Sequence, residues 1–364
     1  METKIVKLGV VGLGRGFFVA KEAIGYPGFQ LTAICDKNPK KVEESLKELE
    51  ERKHGPVEVY YEFDDMLKSA DINTIYIATE AIYHVPYVIK ALDAGKHVIS
   101  EIPTVNSLEE AKELKAAVLR HPELKYMAGE NCCYWAFIQA WKSMYDEGKL
   151  GEAIYAESEY LHSQDWREIK PTDENVSSTH WRSFNPAIKY LTHNLGPLLY
   201  IMDDYCVSVS CMTPDPVYTP YRNPKNGVAI FKTAKGAVIR ILILFDSYVG
   251  FDHNFRIMGT RGSVETDQTK PLDDAHTFAR FADIPGSIHS KVEIPVALKF
   301  PGEDDNNSGH GGADRNMLIA FIDCILNDTK PPIDVDLGIR MSLPGIIAHE
   351  SSEQGGAVLE IPQV

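Results

Sequence analysis

The sequence predicts an α/β protein in two parts, a helix-covered parallel sheet over residues 1–130 and a second α/β domain with an antiparallel sheet over 131–364. Three observations predict it. Short apolar runs alternate with helical stretches as far as about residue 130, a glycine cluster follows the first run, and longer alternating runs joined by tight turns follow. Alternation of strand and helix implies parallel strands joined by crossover helices, whereas hairpin turns imply antiparallel neighbours. The length of 364 residues also exceeds that of one ordinary domain.

The elements follow in order. IVKLGVVG at 5–12 is an apolar strand closed by glycines, a helical stretch comes next, and QLTAIC at 30–35 is a second strand, so the chain opens as a βαβ unit. A Lys/Glu-rich helix at 39–53, strands at 57–61 and 74–78, a helix ending near Gly95 and a strand at 97–100 continue the pattern. Ser107 with Glu110 forms a capping box for a helix through Arg120, and 126–129 reads as the next strand. Beyond Glu130 a helix at 136–145 leads into strands at 153–160, 228–233, 237–245, 254–259 and 263–267, with Ala-Lys-Gly at 234–236 and Thr-Arg-Gly at 260–262 as turns. Helices at 314–326 and 336–350 are expected to cover one face of that sheet, and residues 303–312 form the most loop-like stretch.

Composition narrows the function. Thirty-seven basic against 52 acidic residues leave a net charge of −15, which disfavours nucleic acid and anionic membranes as partners and leaves a small ligand. The longest apolar stretch, 237–245, is too short to cross a bilayer and contains Arg240, and the charged start runs directly into a strand, so the reading is a cytoplasmic protein with no transmembrane segment. Six cysteines lack CxxC repeats, Cys132 and Cys133 read as reduced packing residues, and no HExxH or His/Cys cluster has ligand spacing, so no metal is expected.

The chemistry starts at Gly9-Val-Val-Gly12-Leu-Gly14-Arg15-Gly16-Phe17, between the first strand and first helix. Glycines there let the turn close and the backbone approach a pyrophosphate. The pattern is imperfect, because the third glycine position holds Phe17 and Gly16 stands one residue early. Asp36, ending the second strand, can accept hydrogen bonds from both adenosine ribose hydroxyls and would repel a 2′-phosphate. NAD is therefore preferred, and Lys37 keeps NADP open.

Two further segments carry a resemblance. Ile77-Ala-Thr79-Glu-Ala-Ile-Tyr-His84 and Ala91-Leu-Asp-Ala-Gly-Lys-His-Val-Ile-Ser-Glu101-Ile102-Pro103 resemble the A-T-P-N-x-x-H and A-G-K-H-V-x-x-E-K-P segments of the Gfo/Idh/MocA oxidoreductases, across essentially the whole chain. The resemblance implies an N-terminal Rossmann domain, a C-terminal α/β domain on a large open antiparallel sheet, cofactor at the carboxyl edge of the parallel strands, substrate in an interdomain cleft, and a homo-oligomer. It also assigns Thr79, His84, Glu101 and Pro103 to the nicotinamide side. Ile102 stands where that family has its active-site lysine, so another group must move the proton.

Met127-Ala-Gly-Glu130-Asn131-Cys-Cys-Tyr134 and Tyr190-Leu-Thr-His193-Asn-Leu-Gly196-Pro197 resemble a subgroup that includes the NAD-dependent α-N-acetylgalactosaminidases, which also lack the lysine. In those relatives NAD oxidises the sugar at C3 transiently, the acidified C2 proton leaves with elimination of the aglycone, and the hydride returns. The D-x-x-x-H pair of the wider family is absent, because Pro197 stands four residues after His193. By resemblance His193, Tyr134 and Tyr190 are the catalytic candidates and Asn131 joins the cofactor set. An imidazole of ordinary pKa, about 6.5, exchanges protons at neutral pH.

His310-Gly-Gly-Ala-Asp314 resembles a segment near the sugar site of that subgroup, with Asp314 readable as a helix cap. His310, and His180, Trp181 and Arg182 in an inserted region, are the substrate candidates. The leading expectation is NAD(H)-dependent hydride transfer at a secondary hydroxyl of a sugar, glycoside or polyol. Redox-assisted glycoside cleavage and a non-catalytic NAD-binding regulator are the alternatives.

Overall fold

The computed structural model describes residues 4–162, 185–214, 224–245, 250–270, 276–296, 298–299 and 309–364. The substrate candidates His180, Trp181 and Arg182 lie outside them, as do residues 303–308 of the loop-like stretch. The chain forms two compact units, the first holding the described residues up to 131 and 309–339, the second the described residues from 132 to 299 and 340–363. A single division near residue 130 therefore does not describe it, because the chain returns to the first unit before finishing in the second.

In the first unit, β1 (Val6–Val11), β2 (Phe29–Cys35), β3 (Glu58–Tyr60), β4 (Thr74–Ile77), β5 (His97–Ser100) and β6 (Tyr126–Ala128) form one sheet in the order β3-β2-β1-β4-β5-β6, every pair parallel. This is the doubly wound order, whose reversal between β1 and β4 opens a ligand crevice at the carboxyl ends. The helices are α1 (Arg15–Ala20), α2 (Pro39–Glu51), α3 (Phe63–Ser69), α4 (His84–Asp93) and α5 (Leu108–Arg120). All four residues of β4 are buried, as a strand covered on both faces requires. Asn38 caps α2 by accepting from the Lys40 N–H at 3.0 Å, and Ser107 caps α5 by accepting from the Glu110 N–H at 3.1 Å. The Glu110 carboxylate reaches back to the Asn106 N–H rather than to Ser107, one residue beyond the expected box.

In the second unit, α6 (Ala136–Asp146), β7 (Ala153–His162), α7 (Thr192–Met202), β8 (Cys206–Met212), β9 (Asn226–Thr233), β10 (Val238–Leu244), β11 (Phe251–Gly259), β12 (Gly262–Thr266), β13 (Thr277–Phe281) and β14 (Val292–Ile294) follow, and β15 (Leu359–Glu360) closes the chain. The nine strands run β14-β13-β12-β11-β7-β10-β9-β8-β15. The predicted turns at 234–236 and 260–262 join β9 to β10 and β11 to β12. The sheet is mixed rather than antiparallel, because β10 pairs with β7 in parallel. The β9–β10 hairpin fixes the direction of β10, and the residues of β7, distant in sequence, carry no local sign of that pairing.

Along β10, Ile239, Ile241 and Ile243 are buried while Val238, Arg240, Leu242 and Leu244 are half-exposed. On the latter face Arg240 pairs with Glu157 at 3.0 Å and Glu159 at 2.6 Å, and Arg256 with Glu157 at 2.7 Å and Glu265 at 3.2 Å. Helix α8 (Ala313–Leu326) belongs to the first unit, where it packs on α1 and β1, and α9 (Val335–Glu353) joins the second unit only from Arg340. The expectation that both terminal helices cover the second sheet is thus corrected: the apolar face of α8, with Met317, Leu318, Phe321 and Ile322 buried, packs within the first unit.

Candidate functional site

In the first unit the site is built on the turn from β1 to α1. Gly12 has φ 88°, and a Cβ there would run into the carbonyl of Ala78 at the end of β4. Two crossing backbones touch at that point, so only glycine serves. Gly16 is the close-packing glycine, since its Cβ would lie 2.8 Å from Val10 Cγ1 and 2.9 Å from Ala78 Cβ. Phe17, which holds the third glycine position and is expected by spacing to face the cofactor, is buried in the core at 5 % exposure. Gly14 is exposed, and a Cβ on it would meet the Lys41 ammonium at 3.1 Å.

Asp36 follows β2, where its Oδ2 accepts from the Leu13 N–H and its Oδ1 from the Asn38 N–H, both at 2.8 Å. These bonds fix the carboxylate beside the glycine turn and half-exposed, leaving acceptor lone pairs for a diol. Lys37 is paired with Glu62 at 3.5 Å, and that neighbour raises the lysine pKa. The glycine turn, Asp36 and the crevice together fit a dinucleotide.

The next residues face inward. Arg15 donates from Nε to Glu101 at 3.0 Å and grips Asp314 with both terminal nitrogens, at 2.7 and 2.5 Å. The Tyr76 hydroxyl donates to Glu101 at 2.5 Å, Asn131 Nδ2 to Asp314 at 2.8 Å, and His310 Nδ1 to Asp314 at 3.1 Å. Burial opposes the charge on Asp314, but the hydrogen bonds from His310 and Arg15 hold its carboxyl well below the usual range. Burial opposes the Arg15 charge as well, and Glu101 and Asp314 hold its pKa well above the ordinary value. Burial, aided by Glu101, raises the Tyr76 phenol.

Asp314 is not the helix cap expected from sequence. Gly312 occupies that position, and Asp314 lies in the first turn of α8 with its side chain fully enclosed. His84 is also enclosed: Nδ1 lies 2.9 Å from the Pro103 carbonyl and Nε2 3.1 Å from the Thr79 carbonyl, and burial lowers its pKa. It ties two loops together instead of facing a ligand. Ile102, in place of lysine, is buried at 3 % exposure and precedes a cis bond to the buried Pro103. Thr79 is half-exposed.

In the second unit the candidates gather round His193, half-exposed in the first turn of α7. Its Nδ1 lies 3.3 Å from Cys132 Sγ. The Tyr190 ring meets its imidazole edge-on at 5.3 Å and the Tyr160 ring at 5.7 Å, and Tyr160 stacks on His253 at 4.2 Å. His162 packs on Phe251 at 4.5 Å. Tyr134 is buried at the end of the 3-10 turn Asn131–Tyr134. Sequence reading missed Cys132, Tyr160 and His253, although alternation in β7 and β11 was the available signal, since it places Ser158, Tyr160 and His162 on one face and His253 with Phe255 on one face.

Comparison with known proteins assigns the architecture. Residues 6–129 match the oxidoreductase family NAD-binding Rossmann fold, 138–265 the GFO/IDH/MocA C-terminal domain, and 215–364 the glycosyl hydrolase 109 C-terminal domain. The chain belongs to the Gfo/Idh/MocA oxidoreductases. Among its relatives, a glycosyl hydrolase family 109 protein of Phocaeicola vulgatus is 29 % identical over 93 % of this chain and 68 % of its own. An α-N-acetylgalactosaminidase of Shewanella oneidensis is 24 % identical over 96 % and 82 %. Two solved structures share the fold: levoglucosan dehydrogenase with NADH and levoglucosan (TM-score 0.80, 19 % identity, 99 % and 100 % coverage) and Lactobacillus casei scyllo-inositol dehydrogenase with NAD(H) and scyllo-inositol (0.76, 20 %, 98 % and 99 %). The first unit is thus an NAD-binding Rossmann fold, and the chain an oxidoreductase-family enzyme carrying a glycosyl hydrolase 109 C-terminal domain. Among the described residues no helix is long and apolar enough to cross a membrane.

Proposed function

We propose that this protein is an NAD-dependent glycosidase that cleaves a small glycoside by transient oxidation at C3 and elimination, with an α-N-acetylgalactosaminide as the first substrate to test. The observation that carries the reading is the glycosyl hydrolase 109 domain over residues 215–364 in a chain whose lysine position is the buried Ile102. With no amine at that position, proton exchange falls to other groups, and the imidazole of His193 among Tyr190, Tyr160 and Cys132 is the best placed in its unit.

When bound, NAD supplies a hydride acceptor that returns the hydride at the end of the cycle, so no net NADH forms. Gly12 and Gly16 keep the turn close enough for a pyrophosphate, and Asp36 accepts from the ribose hydroxyls. Its negative charge favours NAD over NADP, and the engagement of Lys37 with Glu62 supports that preference. His193 would take the hydroxyl proton of the sugar, with Tyr190 and Tyr134 orienting the substrate. His180, Trp181, Arg182 and His310 are assigned to the sugar. The protein is assigned to the cytoplasm and to a homo-oligomer, the latter supported by the apolar Val228, Ile230 and Met258, each at least 40 % exposed on the second sheet.

Incubating protein, NAD and a panel of aryl glycosides and free sugars in D₂O tests the reading. Aglycone release with deuterium at C2 and no net NADH is expected. Stoichiometric NADH with a ketosugar would make the protein a dehydrogenase instead, and NAD binding without turnover on the whole panel would make it a regulator.

A further inference from the structure

Within the first unit, one histidine is held in a way that substrate contact alone does not require. Gly309, His310, Gly311 and Gly312 form a turn in which His310, Gly311 and Gly312 have φ of 52°, 62° and 92°. A Cβ on Gly309 would run into the Asp314 carboxylate and the Phe18 ring, so the turn is wound tightly round Asp314. His310 Nδ1 points at Asp314 Oδ2 from 3.1 Å, with Asp314 fully enclosed and His310 37 % exposed. A carboxylate only accepts, so the imidazole must donate, which places the proton on Nδ1. The other donors to Asp314 are the Arg15 guanidinium and the Asn131 amide, and Arg15 is itself braced by Glu101, which Tyr76 also bonds.

We propose that Asp314, braced by Arg15 and Asn131, is a positioning residue that fixes His310 as its Nδ1–H tautomer and so makes Nε2 a proton acceptor, giving the NAD-binding unit a proton-handling dyad of its own. This rests on the glycosidase reading in one respect: elimination removes a proton from carbon as well as one from a hydroxyl, so a second acceptor has work. In that step the C2–H bond breaks and an N–H bond forms on Nε2, the released pair becomes the C1=C2 double bond, the C1–O bond breaks with its pair leaving on the aglycone oxygen, and Asp314 balances the imidazolium. The proton is then available to the leaving oxygen. Comparable buried carboxylates orient imidazoles in acyl-transfer enzymes.

The test uses the full chain labelled with ¹⁵N-histidine, the His310 signals being identified by their loss in His310→Gln. At a pH where the ring is neutral, long-range ¹H–¹⁵N spectra are expected to show a protonated Nδ1 and an unprotonated Nε2. Asp314→Asn is expected to mix the tautomers, and His310→Gln to lower kcat about 100-fold with KM little changed. A protonated Nε2 in the wild type, or unchanged kcat in His310→Gln, overturns the proposal. The tautomer measurement needs no turnover. If the tautomer is as stated but no glycoside is cleaved, the glycosidase reading fails and the dyad stands.

Discussion

At the residue scale, Gly12 offers the sharpest prediction, because both its φ of 88° and the Ala78 carbonyl forbid a side chain. Gly12→Ala is expected to cost about 1–3 kcal/mol of stability and to abolish measurable NAD binding, checked by thermal melting and calorimetric titration. Asp36→Ala should weaken NAD far more than NADP, which titration with both cofactors reads directly. The motif region also shows where residue-level reading fails. Spacing put the third glycine role at position 17, but that role depends on how closely α1 approaches β1 and β4, and Gly16 is the residue pressed against Val10 and Ala78. Asp314 misled in the same way: a carboxylate near a helix start reads as a cap until a distant guanidinium and imidazole are brought onto it.

At the element scale, local signals proved dependable wherever the physics was local. Asn38 before Pro39 and Ser107 before Glu110 start α2 and α5 because each side chain satisfies an N–H that the first helical turn leaves unpaired. Ser107→Ala should destabilise the protein by about 1 kcal/mol, measured by urea unfolding, with NAD affinity unchanged. Alternation likewise exposed β9 and β10 and their glycine turn. What alternation does not contain is a partner. The parallel β7–β10 pairing and the membership of α8 in the first unit depend on surfaces supplied by segments far away in the chain.

At the scale of the whole molecule, pH should act on stability through the buried Asp314. Its carboxyl titrates below the 3.8 of an ordinary aspartate, so its contribution is fully present above that pH and is lost as pH falls toward the lower native value. Wild type is expected to exceed Asp314→Asn in unfolding free energy at pH 7 and equally at pH 5, and the gap is expected to narrow below about pH 4 in acid titrations followed by circular dichroism. An unchanged gap down to pH 2 would remove Asp314 as the cause. The sequence by itself determined the parallel sheet, the glycine turn with Asp36, the isoleucine at position 102 and the likeness to glycosidase relatives, because each is written in residue type and short spacing. Only the tertiary structure decided that Arg15 and Glu101 join Asp314 and His310 in one buried network, that Cys132, Tyr160 and His253 surround His193, and that the chain returns to its first unit before ending. Charge pairing and burial act through space, and distance along the chain does not encode them.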